Sequence, residues 1–150
     1  MHVYRHGSAP TTRAPEDTFT GDVQIGGYFR RSAPSRLAGA SVAFEPRART
    51  PWKVNPLGQT LIVTHGVGWA QCAGESITEI RPGDIVWCPP GQRHWEGAAP
   101  DHAMTYVAVQ EEGAGGGVQF WDAVTDEEYQ VGPPARAVPP ATSSGAGRGQ

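Results

Sequence analysis

Apolar positions in the middle of the chain come in short runs, broken at regular intervals by Gly and Pro. GASVAFE (39–45), QTLIVT (59–64), GWAQCA (68–73), SITEI (76–80), DIVWC (84–88) and AMTYVAVQ (103–110) are rich in β-branched and aromatic residues. Such residues suit a pleated, half-buried surface, and spacings of roughly 8–12 residues are those of a sandwich or barrel. Only VTDEEYQ (124–130) has helical character, with Thr125 as N-cap and Asp126, Glu127 and Glu128 in the first turn. The predicted fold class is therefore all-β, a barrel with a short C-terminal helical turn. Residues 1–18 are polar and turn-rich and are predicted to form an N-terminal arm. Residues 131–150, VGPPARAVPPATSSGAGRGQ, lack any hydrophobic period and are predicted to be a disordered tail. The folded domain is then 19–130.

Charge and cysteine usage narrow the function classes. Net charge is −3 with no basic stripe, which excludes a nucleic-acid partner from the expectation. No stretch approaches the roughly 20 apolar residues of a membrane span, and the first residues carry no secretory signal pattern. Cys72 and Cys88 make neither a disulfide framework nor a zinc signature, so a cytoplasmic location is expected. Of the 12 basic residues, 11 are Arg and one is Lys, at position 53.

Two segments carry chemistry: PWKVNPLGQTLIVTHG from Pro51, and RPGDIVWCPPGQRHW, 81–95. The second resembles the second cupin motif: Gly83, five residues, Pro89, one residue, Gly91, two residues, His94. The first has the spacing of the first cupin motif, His-x-His, then Glu or Gln, then Gly. Gln59 and Gly66 fit it, whereas Lys53 and Asn55 stand at the histidine positions and Arg47 at its leading Gly. The region 19–130 is similar to the small single-domain cupins that include bacterial manganese-dependent hydroxynitrile lyases. The resemblance implies a jelly-roll barrel, a homodimer or higher homo-oligomer, and a small-molecule substrate. It implies further that Gln59 and His94 match two of four metal ligands. Ala40, Val42 and Gln110 match pocket residues, and Glu96 and Tyr106 fall where that group has histidines.

Strand parity gathers the same residues. Side chains alternate between the faces of a strand. Lys53 shares a face with Asn55, His94 with Glu96, Ala40 with Val42 and Phe44, and Tyr106 with Met104, Ala108 and Gln110. The predicted catalytic set is Lys53, His94, Glu96 and Tyr106. The predicted substrate pocket is Ala40, Val42, Trp52, Asn55, Gln59 and Gln110.

The charge at position 53 argues against a tightly held metal. An ammonium about 4 Å from an ion, at an effective dielectric of about 20, repels each unit of metal charge by about 4 kcal/mol. No cofactor is expected; any divalent ion (Mn, Fe, Zn or Ni) would be held weakly, by Gln59, His94 and Asn55. A lysine desolvated among apolar walls is a nucleophile or base, a buried carboxylate rises in pKa towards neutrality, and a tyrosine donates to a developing oxyanion. Alternatively Lys53 replaces the charge of the lost metal. The leading expectation is a metal-independent enzyme running lyase, isomerase or cyclase chemistry by proton transfer on a small, largely apolar substrate, with a biosynthetic role. The rivals are a metal-dependent cupin lyase or oxygenase, and a non-enzymatic small-molecule-binding cupin.

Overall fold

The computed structural model describes residues 1–114 and 116–135. Eleven strands are described: β1 (Thr12–Arg13), β2 (Val23–Arg30), β3 (Leu37–Phe44), β4 (Lys53–Val54), β5 (Gln59–Gly66), β6 (Gly68–Cys72), β7 (Thr78–Ile80), β8 (Ile85–Cys88), β9 (His94–Ala98), β10 (Met104–Glu111) and β11 (Gln119–Phe120). They form two antiparallel sheets, a six-stranded one ordered β1-β2-β3-β10-β5-β8 and a five-stranded one ordered β11-β4-β9-β6-β7. The two sheets face each other as the halves of a jelly roll, not as one continuously hydrogen-bonded barrel. No helix of the described residues is long and apolar enough to cross a membrane.

Alternation on the long strands builds the interior. Tyr106 stands opposite Val42 on one side and Val63 on the other, and Ala108 opposite Ala40 and Leu61. Val42, Phe44, Leu61, Val63, Met104 and Tyr106 are buried, while Ile62, Thr64 and Trp87 face outward. Thr12 and Arg13, inside the predicted arm, pair with Ile25 and Gln24 of β2. The eight-residue β2 is absent from the sequence-based strand set, because VQIGGYFR carries two glycines that weaken its strand signal.

The helix α1 (Asp126–Gln130) follows Thr125, whose side chain accepts from the Glu128 N–H while the Glu128 carboxylate accepts from the Thr125 N–H. This capping box fixes the helix start. Tyr129 then packs beside Trp69 and Trp95, with its hydroxyl donating to the Ala98 carbonyl at 2.7 Å. Arg49, 3% exposed, lies over the Tyr129 ring and donates to the Val124 carbonyl and to Asp126. The helix therefore covers the outer face of β9, so Trp95 is buried outward and its neighbours His94 and Glu96 are buried inward. Of the predicted tail, residues 136–150 lie outside the described residues.

Candidate functional site

Two turns aim β9 into the interior. Gly83 and Gly91 of the second motif adopt φ of 91° and 73°, the left-handed region that glycine enters at little cost. The Gly91 N–H donates to the Asn55 carbonyl at 3.2 Å, as does the Gly58 N–H at 3.1 Å, so the backbone of Asn55 ties the first motif to the second. Lys53 of β4 then pairs in register with His94 of β9. At the first motif's leading Gly, Arg47 holds a φ of 72°, the only positive φ of a non-Gly residue among those described.

A row of polar side chains crosses the interior. The Lys53 ammonium donates to Glu96 Oε1 and, at 2.9 Å, to Gln59 Oε1. Gln59 Nε2 donates in turn to Gln110 Oε1 at 3.2 Å, and the Tyr106 hydroxyl donates to Glu96 Oε1 at 2.7 Å. Beyond Glu96 stands His94, its Nδ1 2.9 Å from the Gln92 carbonyl and its Nε2 3.9 Å from Glu96 Oε2. Lys53, Glu96 and His94 are each at most 3% exposed.

These contacts set the protonation states. Burial pushes the Glu96 carboxyl up, but the Lys53 ammonium, the His94 ring and the hydrogen bonds from Lys53 and Tyr106 outweigh it. The carboxyl is held below its usual range, so the expected rise towards neutrality does not occur. Burial and the neighbouring Glu96 raise Tyr106 well above the phenol range, which keeps it a donor. Burial lowers His94, whose ring is therefore neutral. Burial, with Glu96 next, pushes the Cys88 thiol up to about 12. Lys53 faces two acceptors, the geometry of an ammonium and not of a free amine poised to attack a carbonyl.

A cavity of about 220 Å³ opens on one side of this row. Lys53, Gln59, Tyr106 and Gln110 form its polar floor, and Ala40 and Val42 belong to its wall. Six of the ten residues singled out from the sequence thus meet at one cavity. Glu96 stands directly behind the floor, hydrogen-bonded to Lys53 and Tyr106. Trp52, Asn55 and His94 are not on this wall. Trp52 packs instead in the cluster under α1, its ring nitrogen donating to Glu128 at 3.2 Å and Arg93 lying over its ring. Sequence reasoning missed Phe19, Ile25, Tyr28 and Phe120, which complete the apolar wall. Ile25 was legible only through the β2 alternation, and Phe120 sits on a two-residue strand that no pattern marks.

The metal implied by the fold resemblance does not fit these residues. Gln59 Oε1, the oxygen a metal would take at that position, accepts from Lys53. The ammonium stands where the first motif has a histidine, and it would repel a cation at that locus.

Residues 41–114 match the AraC-like ligand binding domain. Over 130 residues the chain is 52% identical to (R)-mandelonitrile lyase from Granulicella tundricola, which spans 87% of this chain and 99% of that protein. A cupin-like protein from Thermotoga maritima superposes with a TM-score of 0.77 at 32% identity, covering 91% of this chain and all of that one. A polyketide cyclase from Streptomyces resistomycificus shares the fold alone, with a TM-score of 0.64 at 14% identity over 87% of this chain and 91% of that one. With the jelly-roll topology and the intact second motif, these likenesses place the chain in the cupin family.

Proposed function

We propose that this cupin is a lyase for a small, largely apolar carbonyl-derived molecule, in which the Lys53 ammonium supplies the positive charge that a metal supplies elsewhere. The observation that carries the reading is the buried Lys53–Glu96 pair, with Tyr106, at and behind the polar floor of a cavity whose walls are apolar. At about 220 Å³ the cavity is smaller than the roughly 300–1,000 Å³ typical of drug-sized ligands, which selects one small ring or alkyl chain. Mandelonitrile, named for the relative in Granulicella tundricola, is a molecule of this class: an aryl cyanohydrin. For such a substrate the hydroxyl proton leaves as the carbon–nitrile bond breaks, giving an aldehyde and hydrogen cyanide. Lys53 and Tyr106 are donors at the cavity floor, able to stabilise charge that develops on oxygen or on departing cyanide. Glu96 behind them accepts from both, so the hydroxyl proton can pass through the Tyr106 phenol to its carboxylate while Lys53 gives a proton to departing cyanide and takes one back from Glu96. Isomerase or cyclase chemistry on a similar substrate would use the same groups. The two unpaired thiols suit a reducing, cytoplasmic compartment.

The match to a ligand-binding family over 41–114 favours a second reading, a non-enzymatic binding module for the same class of molecule. A panel of small aryl and alkyl cyanohydrins and aldehydes separates the two. The lyase reading expects turnover above the buffer rate for at least one member, abolished in Tyr106→Phe or Lys53→Met. Calorimetric binding of panel members without turnover would replace the lyase with the binding module.

A further inference from the structure

On the other side of the polar row, β6, β7 and β8 border an open groove of about 420 Å³, with Cys72, Cys88 and His94 on its wall. The groove and the first cavity share no lining residue. Glu96 lines neither but contacts residues of both. Its Oε1 accepts from Lys53 and Tyr106, while its Oε2 has no hydrogen-bond partner. His94 Nε2, facing Oε2 at 3.9 Å, has none either. Because the ring gives its Nδ1–H to the Gln92 carbonyl, a neutral His94 presents a lone pair at Nε2. Two buried acceptors thus confront each other with no donor between them, and each unsatisfied polar group is costly. A cation between them relieves both. A third donor stands beside them: Cys88 Sγ, His94 Nε2 and a Glu96 oxygen all lie within 4.8 Å of one another.

We propose that Cys88, His94 and Glu96 form a binding site for one thiophilic divalent cation of the zinc class, entered from this groove. Imidazole, thiolate and carboxylate are the donors such ions take, usually in a tetrahedron, with ligand atoms about 2.0–2.3 Å from the metal and so roughly 3.3–3.8 Å apart. The three donor atoms, all within 4.8 Å of one another, must draw together by up to about 1.5 Å to reach that geometry. Of the ligands the first and second cupin motifs would supply, only His94 takes part. The ion sits across Glu96 from the Lys53 ammonium. On binding, the Cys88 S–H bond breaks, its proton leaves to solvent through the groove, and the sulfur lone pair bonds the ion, with no change of oxidation state. Ion, Lys53 ammonium, thiolate and carboxylate together carry one net positive charge, and the carboxylate is shared, Oε1 with Lys53 and Oε2 with the ion. The fourth position is left open towards the groove for water.

Chelator-stripped full-length protein titrated with Co(II) tests the site by its absorption spectrum, independently of any turnover. The expected result is one Co(II) per chain. It should show a near-ultraviolet sulfur-to-cobalt charge-transfer band and the visible bands of a tetrahedral ion, all bleached by one equivalent of Zn(II). The charge-transfer band should vanish in Cys88→Ser and persist undiminished in Cys72→Ser. If Cys88→Ser fails to fold, Cys72→Ser still decides. The chain has two cysteines, so a sulfur band that survives there belongs to Cys88. Absence of a sulfur band in the wild-type protein, or its loss in Cys72→Ser, overturns the proposal.

Discussion

Replacing Lys53 by Met tests how the interior holds its charge. Glu96 is fully buried and Lys53 is 3% exposed, so the substitution leaves a carboxylate with one neutral hydrogen bond, from Tyr106, and no counter-charge. Removing one partner of a buried ion pair costs about 3–5 kcal/mol. For a domain of this size that lowers Tm by roughly 10–20 °C. The loss should depend on pH. In the wild-type protein the Glu96 carboxyl is depressed. Its contribution is present above the unfolded-state value of about 4.3 and is lost as pH falls through the lower folded value. In Lys53→Met, burial acts unopposed and raises the carboxyl. The folded variant then keeps a proton that the unfolded chain gives up, so it loses stability as pH rises above about 4. The gap between the two proteins should be widest near pH 8 and narrow towards pH 4. Lys53→Met/Glu96→Gln, which removes both charges, should recover most of the loss. Urea unfolding followed by tryptophan fluorescence across that pH range measures all three proteins. A gap below about 1 kcal/mol, a gap independent of pH, or a double variant as unstable as the sum of the single ones would show that Lys53 does not hold the buried carboxylate's charge.

Three further outcomes follow from single contacts. Tyr106→Phe removes the phenol that donates to Glu96 at 2.7 Å and should cost about 1.5–3 kcal/mol in the same unfolding assay, as for other bonds to charged groups; no loss would mean the bond contributes nothing. Arg47→Gly relieves a left-handed backbone and should raise stability by about 1 kcal/mol, or a few degrees in Tm; an unchanged or lowered Tm would show that the arginine side chain offsets the strain. Ile62, Ile85 and Trp87 are exposed on the outer face of the paired strands β5 and β8, with Ile62 directly opposite Ile85. We expect this face to join copies of the chain into a homodimer or higher homo-oligomer by light scattering, and Trp87→Glu to weaken it; a monomer at high micromolar concentration contradicts this.

The long strands were legible because one face of each is buried, so the two-residue period shows directly in GASVAFE and AMTYVAVQ. The N-cap at Thr125 was legible because it is local; the reciprocal Glu128 bond of the capping box came from the structure. The polar row was legible in membership, since parity and the second motif bring Lys53, His94, Glu96 and Tyr106 to one interior. Its electrostatics were not. Whether Glu96 rises or falls depends on burial against three partners from β4, β9 and β10, and the balance is a property of the assembled sheets. Trp52 lies next to Lys53 in sequence, yet the chain turns it under α1, on the opposite side of the five-stranded sheet. Cys88 belongs to no zinc signature in the sequence. Its place beside two unpartnered acceptors is a three-dimensional fact.

We propose that the Lys53 ammonium does the electrostatic work of a metal at the first cavity. The most direct measurement is the initial rate of cyanohydrin cleavage by protein stripped with chelator, in wild type and in Lys53→Met, each with and without added Mn(II). The wild-type rate should stay within about twofold on stripping and on adding Mn(II), and the Lys53→Met rate should fall by roughly 100-fold or more, the scale of removing one preorganised transition-state donor. A wild-type rate that disappears on stripping and returns with Mn(II), or a Lys53→Met rate equal to wild type, contradicts it.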